Sequence, residues 1–158
     1  MRRLLLSTIA IVVFAFIFSA CSSGESEVAA EEVQVEDQGD IARVYVDPPA
    51  EFAALTNPFS GDADALTKGN EIYESKCVEC HGPEGEGDGP KSTNINPKPA
   101  NLGDSTMMAD LSDGYLFWRV TKGGAMEPFN LAMKAWEMAL TEEQHWQVIS
   151  YVRTFSEE

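Results

Sequence analysis

The stretch that decides how this 158-residue chain reads is Cys77-Val78-Glu79-Cys80-His81. Two thiols stand about one helical turn apart, and an imidazole follows directly after the second. A structural zinc site wants four ligands, and the chain offers neither a second C-x-x-C nor a histidine pair. A thioredoxin-like dithiol needs a strand–helix–strand setting, and no period-2 run here is long enough for a strand. A disulfide between Cys77 and Cys80 is open to any chain exported to an oxidising compartment.

The reading that uses all five residues is covalent attachment of one haem c, for which C-x-x-C-H is the signature. Each thiol can bond one vinyl group of the same macrocycle. The adjacent imidazole of His81 is then directed at the iron from one side of the ring.

Working outward, the pattern is helical on both sides. Thr67 is a candidate cap for a first helix whose buried side carries Ile72, Tyr73 and the cysteines. From Gly82 to Pro99 the chain is rich in glycine and proline, which is loop chemistry. A second helix is expected over Ser112–Thr121, capped by Ser112 or Asp113, facing inward with Leu116, Phe117 and Val120 and stopped by Gly123-Gly124. A third is expected after the capping box Thr141-Glu142-Glu143-Gln144, with Trp146, Ile149 and Val152 on its apolar face. The fold class expected is all-α.

Here residues 67–155 resemble the class I cytochromes c. Gly69, Tyr73 and Cys77 stand at the family's places in its opening helix, and Tyr151 where the last helix meets it. The run CHGPEGEGDGP…PKPANLGD is similar to the glycine-rich loop of small bacterial members. The resemblance implies a cytochrome c-like fold of three or more helices around one covalently bound haem, and one-electron transfer rather than catalysis on a substrate. It implies that a proline carbonyl, of Pro90 or Pro99, orients His81. It also implies a methionine as the second iron ligand. Met133 lies seven residues before Leu140, as family members space it, and Met133-Lys134-Ala135-Trp136 is similar to their Met-Pro-Ala-Trp with Lys134 in place of proline. Met126, in Gly-Ala-Met-Glu-Pro-Phe, is the alternative. A haem enzyme or gas sensor with an open sixth site is the rival function. His145, the other histidine, reads as an ordinary helix residue.

The N-terminal third has a different character. Arg2-Arg3, the apolar run Leu4–Phe18 and the small pair Ser19-Ala20 have the layout of a secretory signal over residues 1–20. The sequence Phe18-Ser19-Ala20-Cys21 resembles a bacterial lipobox, which implies cleavage before Cys21 and a lipid on that cysteine. Residues 21–61 then read as a lipidated acidic tether followed by an extended apolar arm lying on the domain surface, and 62–158 as the haem domain. Residues 22–66 hold eleven acidic side chains against one basic, Arg43, within a net charge of −15. That balance excludes a nucleic-acid partner, since nothing neutralises phosphates. The expected location is the periplasm or the outer face of the cytoplasmic membrane, with the membrane reached through the lipid anchor. The expected partners are redox proteins there: a quinol-oxidising complex, a terminal oxidase or a reaction centre. Lys76, Lys91, Lys98, Lys122 and Lys134 flank the haem motif or the ligand loop in sequence, and could guide docking.

Overall fold

Asp62 is the residue that starts the first long helix. Its carboxylate accepts from the Ala65 amide at 2.8 Å, satisfying one of the donors that a helix N-terminus leaves unpaired. The helix therefore begins earlier than Thr67, whose hydroxyl lies inside it and donates back to the Ala63 carbonyl. The computed structural model describes residues 45–129 and 131–157; the signal segment, the lipobox with Cys21 and the acidic tether lie outside them. In chain order the helices are α1 (Ala50–Ala53), α2 (Ala63–Lys76), α3 (Val78–His81), α4 (Ser105–Asp110), α5 (Asp113–Lys122) and α6 (Glu142–Thr154), with a 3₁₀ turn at Ser92–Asn94. Among the described residues there is no strand, and the fold is all-α.

The central packing event is the crossing of α2 and α6. A Cβ on Gly69 would stand 2.1 Å from the Gln147 carbonyl oxygen and 2.8 Å from the Tyr151 Cβ. The missing side chain is what lets the two helices approach. One turn on, Tyr73 is 0% exposed. Its ring packs on Tyr151 and Phe155 at centroid distances of 5.5 and 5.1 Å, and its hydroxyl donates to the Gly82 carbonyl at 2.7 Å. Burial pushes that phenol pKa well above its ordinary value. Gly69, Tyr73 and Tyr151 thus meet as the sequence suggested.

The other two expected helices form with small adjustments. Ser112 rather than Asp113 caps α5, its hydroxyl accepting from the Tyr115 amide. Asp113 is instead held by Arg153 of α6, at 2.8 and 3.1 Å. Gly123, with φ of +70°, ends α5. The capping box of α6 is complete, with Thr141 and Gln144 each bonding the other's amide.

Residues 45–60, expected as an extended arm on the domain surface, do lie on the domain but contain the single turn α1. Phe52, Leu55 and Phe59 pack against the cluster of Phe117, Trp146 and Ile149. Asn57 donates to the Ser150 hydroxyl at 2.8 Å. A Cβ on Gly114 would meet the Phe52 carbonyl oxygen at 2.0 Å, so the arm's backbone sits directly on the first turn of α5.

Candidate functional site

Between α2, α5, α6 and the long loops lies a cavity of about 490 Å³, within the size range of small-molecule and cofactor sites. Its walls are largely apolar, with Leu102, Met108, Leu116, Val120, Ile149 and Val152 among them. Cys77, Cys80, His81 and Met133 all line it. The four residues come from two segments more than fifty positions apart in the chain, and only the fold brings them together. Met126 is not among the lining residues; it packs against the core cluster beneath. Met107 and Met108 line the cavity as well, and Met108 is also a core residue.

Local structure explains how the motif is presented. Cys77 ends α2, and α3 holds the rest of the motif in a single turn, so both thiols and the imidazole face the same space. The loop after it folds back to satisfy that turn's carbonyls: Gly87, Gly89 and Lys91 donate their amides to His81, Cys80 and Glu79. The same loop sets the imidazole. His81 Nδ1 is 3.3 Å from the Ala100 carbonyl oxygen. A carbonyl only accepts, so Nδ1 carries the proton and Nε2 keeps its lone pair for a metal. The carbonyl set against Nδ1 is thus that of Ala100, the residue after Pro99, and not one of the two prolines expected; the Pro99 carbonyl oxygen lies close to Gly87, where an added Cβ would meet it at 2.3 Å. The Gly85 carbonyl accepts from the Leu102 amide, and this tie holds the 99–102 segment where Ala100 faces the ring.

Cys77 and Cys80 are free thiols. Burial, and secondarily Cys80, push the Cys77 thiol up to about 12, so it stays protonated through neutral pH. Gly124 donates its amide to the Met133 carbonyl, anchoring the methionine loop to the end of α5. Trp136 lines the cavity, whereas Trp118 and Trp146 pack in the core behind it. His145 is 3% exposed and stands apart from the cavity; its Nδ1 donates to the Thr141 carbonyl at 2.8 Å.

Lys76, Lys91, Lys98 and Lys134 are exposed and border the cavity, while Lys122 pairs with Glu137. Lys91 pairs with Glu79 of the motif, which holds that carboxyl below its ordinary range.

Sequence reasoning passed over Arg119. The residue is 8% exposed and borders the cavity, its guanidinium carbon lies 3.7 Å from the centre of the Phe129 ring, and its buried Nη1 has no hydrogen-bond partner among the described residues. Charged helix residues are mostly exposed, and no local signal in the sequence marks this one otherwise.

The site fits a haem: two thiols and a metal-competent imidazole on one side, a thioether sulfur from a distant loop, apolar walls, and a buried cation unpaired at one nitrogen. Residues 66–156 match the Cytochrome c family model, and the chain belongs to that family. It is a c-type cytochrome, with covalently bound haem c as its cofactor. Among solved structures it is similar to a chain of the reducing HAO-like protein complex of Kuenenia stuttgartiensis, at 25% identity and a TM-score of 0.51, over 60% of this chain and 45% of that one. It is also similar to cytochrome CL from the marine methylotrophic bacterium Methylophaga aminisulfidivorans, at 24% identity and a TM-score of 0.48, over 63% of this chain and 60% of that one. The match thus spans less than two thirds of either chain. No curated protein matches the sequence.

Proposed function

We propose that this chain is a membrane-tethered, class I-like monohaem electron carrier. The observation that carries the reading is the convergence of Cys77, Cys80, His81 and Met133 on one apolar cavity. Cys77 and Cys80 would hold the haem through thioethers, and His81 and Met133 would hold its iron. When bound, the haem supplies an iron that takes up and gives back one electron. The protein's own residues do the rest. Ala100 fixes the tautomer and orientation of His81. The aliphatic wall excludes water, which keeps the reorganisation that accompanies a change of charge small. The Gly124–Met133 backbone bond holds the methionine loop in place.

Lipidation at Cys21 would place the domain on the outer face of the cytoplasmic membrane. The acidic tether would then keep it at high effective concentration beside its partners. Those partners are redox proteins, with a quinol-oxidising complex, a terminal oxidase or a reaction centre as the classes that suit such a carrier. Lys76, Lys98 and Lys134 at the cavity border offer a cationic rim on an otherwise acidic protein, suited to an acidic face around the partner's redox centre. The likeness to a chain of a multiprotein complex supports a fixed subunit role beside that of a free shuttle.

The test is fractionation of cells expressing the full chain. Haem c absorbance should be found with the membranes and should pass to the soluble fraction in Cys21→Ser. Haem c that stays with the membranes in that variant would overturn the lipid anchor.

A further inference from the structure

The haem cavity has an acidic neighbour. Beside it, between the arm, α4 and the start of α5, lies an open groove of about 1010 Å³. Tyr45, Met107, Leu111 and Tyr115 line both spaces and so form the wall between them. The arm gives the groove an apolar lip. Tyr45 is 46% exposed and Val46 37%, and Met138 is the only other large hydrophobic residue so exposed among the described residues. The Tyr45 ring rests 6.4 Å from that of Tyr115. An exposed apolar patch rimmed by polar groups marks a contact surface. The rim here has one sign. Asp47, Asp104 and Asp110 are exposed, and none of them is in an ion pair among the described residues. No lysine, arginine or histidine lines the groove. Lys76, Lys91, Lys98 and Lys134, which border the haem cavity, take no part in it. The two surfaces therefore carry opposite charge, and an acidic partner suited to the lysines is repelled by the groove.

We propose that this groove is a second docking face, and that its occupant is a basic segment of a redox partner with apolar side chains between its cationic ones. A purely cationic ligand leaves Tyr45, Val46 and Leu111 facing water, and a purely apolar one covers aspartates without pairing them, which is costly. Only an occupant of both characters satisfies the lip and the rim together. The inference rests on the carrier reading of the haem cavity, because sharing a wall with that cavity is what gives the groove its use. A partner seated there is separated from the cofactor space by that wall, in which Tyr115 is itself only 8% exposed. The arrangement also sorts partners by charge. Acidic ones meet the lysines and basic ones meet the groove, so donor and acceptor do not compete for one surface.

The experiment uses the haem-loaded full chain and a short synthetic peptide that alternates lysine with leucine. Its affinity is measured for the unaltered protein and for Asp47→Asn/Asp104→Asn/Asp110→Asn, in which asparagine can keep the α4 cap that Asp104 provides. The control is Asp64→Asn/Glu71→Gln/Glu74→Gln, which removes the same charge from exposed positions of α2. Exposed ion pairs are individually weak, so the groove variant should bind about tenfold less tightly, and the α2 variant about as well as the unaltered chain. Tyr45→Ala should also weaken binding, and a lysine–serine peptide should bind less tightly than the lysine–leucine one. Amide shifts on binding should centre on Val46 and Asp110. The bound peptide should slow reduction of the ferric protein by hexaammineruthenium(II), a cation that passes one electron to the iron and becomes ruthenium(III). Equal losses in the two triple variants would mark attraction by net charge alone and overturn the proposal, as would shifts centred outside the groove. A dimer in sedimentation that the groove substitutions dissociate would make a second copy the occupant and overturn it too. So would peptide binding that appears only in Arg43→Gln, which would give the groove to the chain's own preceding segment. Absence of haem c bands from the unaltered protein would defeat the carrier reading instead, whereas failure of peptide binding alone would leave that reading standing.

Discussion

Replacing Gly69 by alanine sets two effects of opposite sign against each other. In an isolated helix the change stabilises, by about 1 kcal/mol, because glycine is a poor interior helix residue. In this fold the new methyl group would lie 2.1 Å from the Gln147 carbonyl oxygen, where ordinary contact begins at 3.4 Å. The obstacle is backbone on one side and the Tyr151 Cβ on the other, so no side chain can rotate away. The α2–α6 crossing must open by more than an ångström, loosening Tyr73 from Tyr151 and Phe155. Overpacking of this kind costs about 3 kcal/mol at the upper end of its usual range. The net loss is about 2 kcal/mol, a fall in Tm of roughly 8–16 °C for a domain of this size. The assay is thermal unfolding of the haem-loaded protein followed by circular dichroism. Gly69→Val should do worse and reduce haem retention, since α2 carries Cys77 at its end. A Tm in Gly69→Ala that is unchanged or raised would refute the close crossing.

Two further outcomes follow from the site and the core. Met133→Ala should abolish the weak sulfur-to-iron band near the red end of the oxidised optical spectrum. Met126→Ala should keep that band and lose up to about 2 kcal/mol of stability from the core it packs on; the reverse pattern would exchange their roles. His145 is held below its ordinary pKa chiefly by burial of its charged form, against the opposing pull of the Thr141 carbonyl, Glu142 and Glu137. The unfolded chain therefore binds that proton more tightly, and stability is lost as pH falls below about 6.5, the ordinary histidine value. Relative to His145→Gln, the unaltered protein's unfolding free energy should fall by up to about 1.4 kcal/mol per pH unit in that window. A difference that does not change with pH there would show that His145 is not buried in its neutral form.

The parts of this protein that depend on neighbours along the chain were legible in its sequence. The C-x-x-C-H motif works through spacing within one helical turn, and the caps at Ser112 and Thr141 act over three residues. Gly69, Tyr73 and Tyr151 became readable through resemblance to a family, not through any local pattern. The first helix was misplaced at its start because Asp62 and Thr67 are both competent caps, and local chemistry does not rank them. The arm was expected on the domain surface, but what it packs on there was not legible. Its anchors, Asn57 on Ser150 and the Phe52 backbone on Gly114, lie 93 and 62 positions away in the chain.

By itself, the sequence determined the covalent attachment motif, the helical class and the segregation of acidity toward the N-terminal side, since each follows from residue identity and short-range spacing. Only the tertiary structure decided that Ala100 rather than a proline faces His81, that Met133 and not Met126 borders the cavity, and that Arg119 is buried against it. Each of those depends on where a loop or helix packs relative to the α2–α6 crossing. That position is set by packing between residues far apart in the chain, which no local spacing encodes.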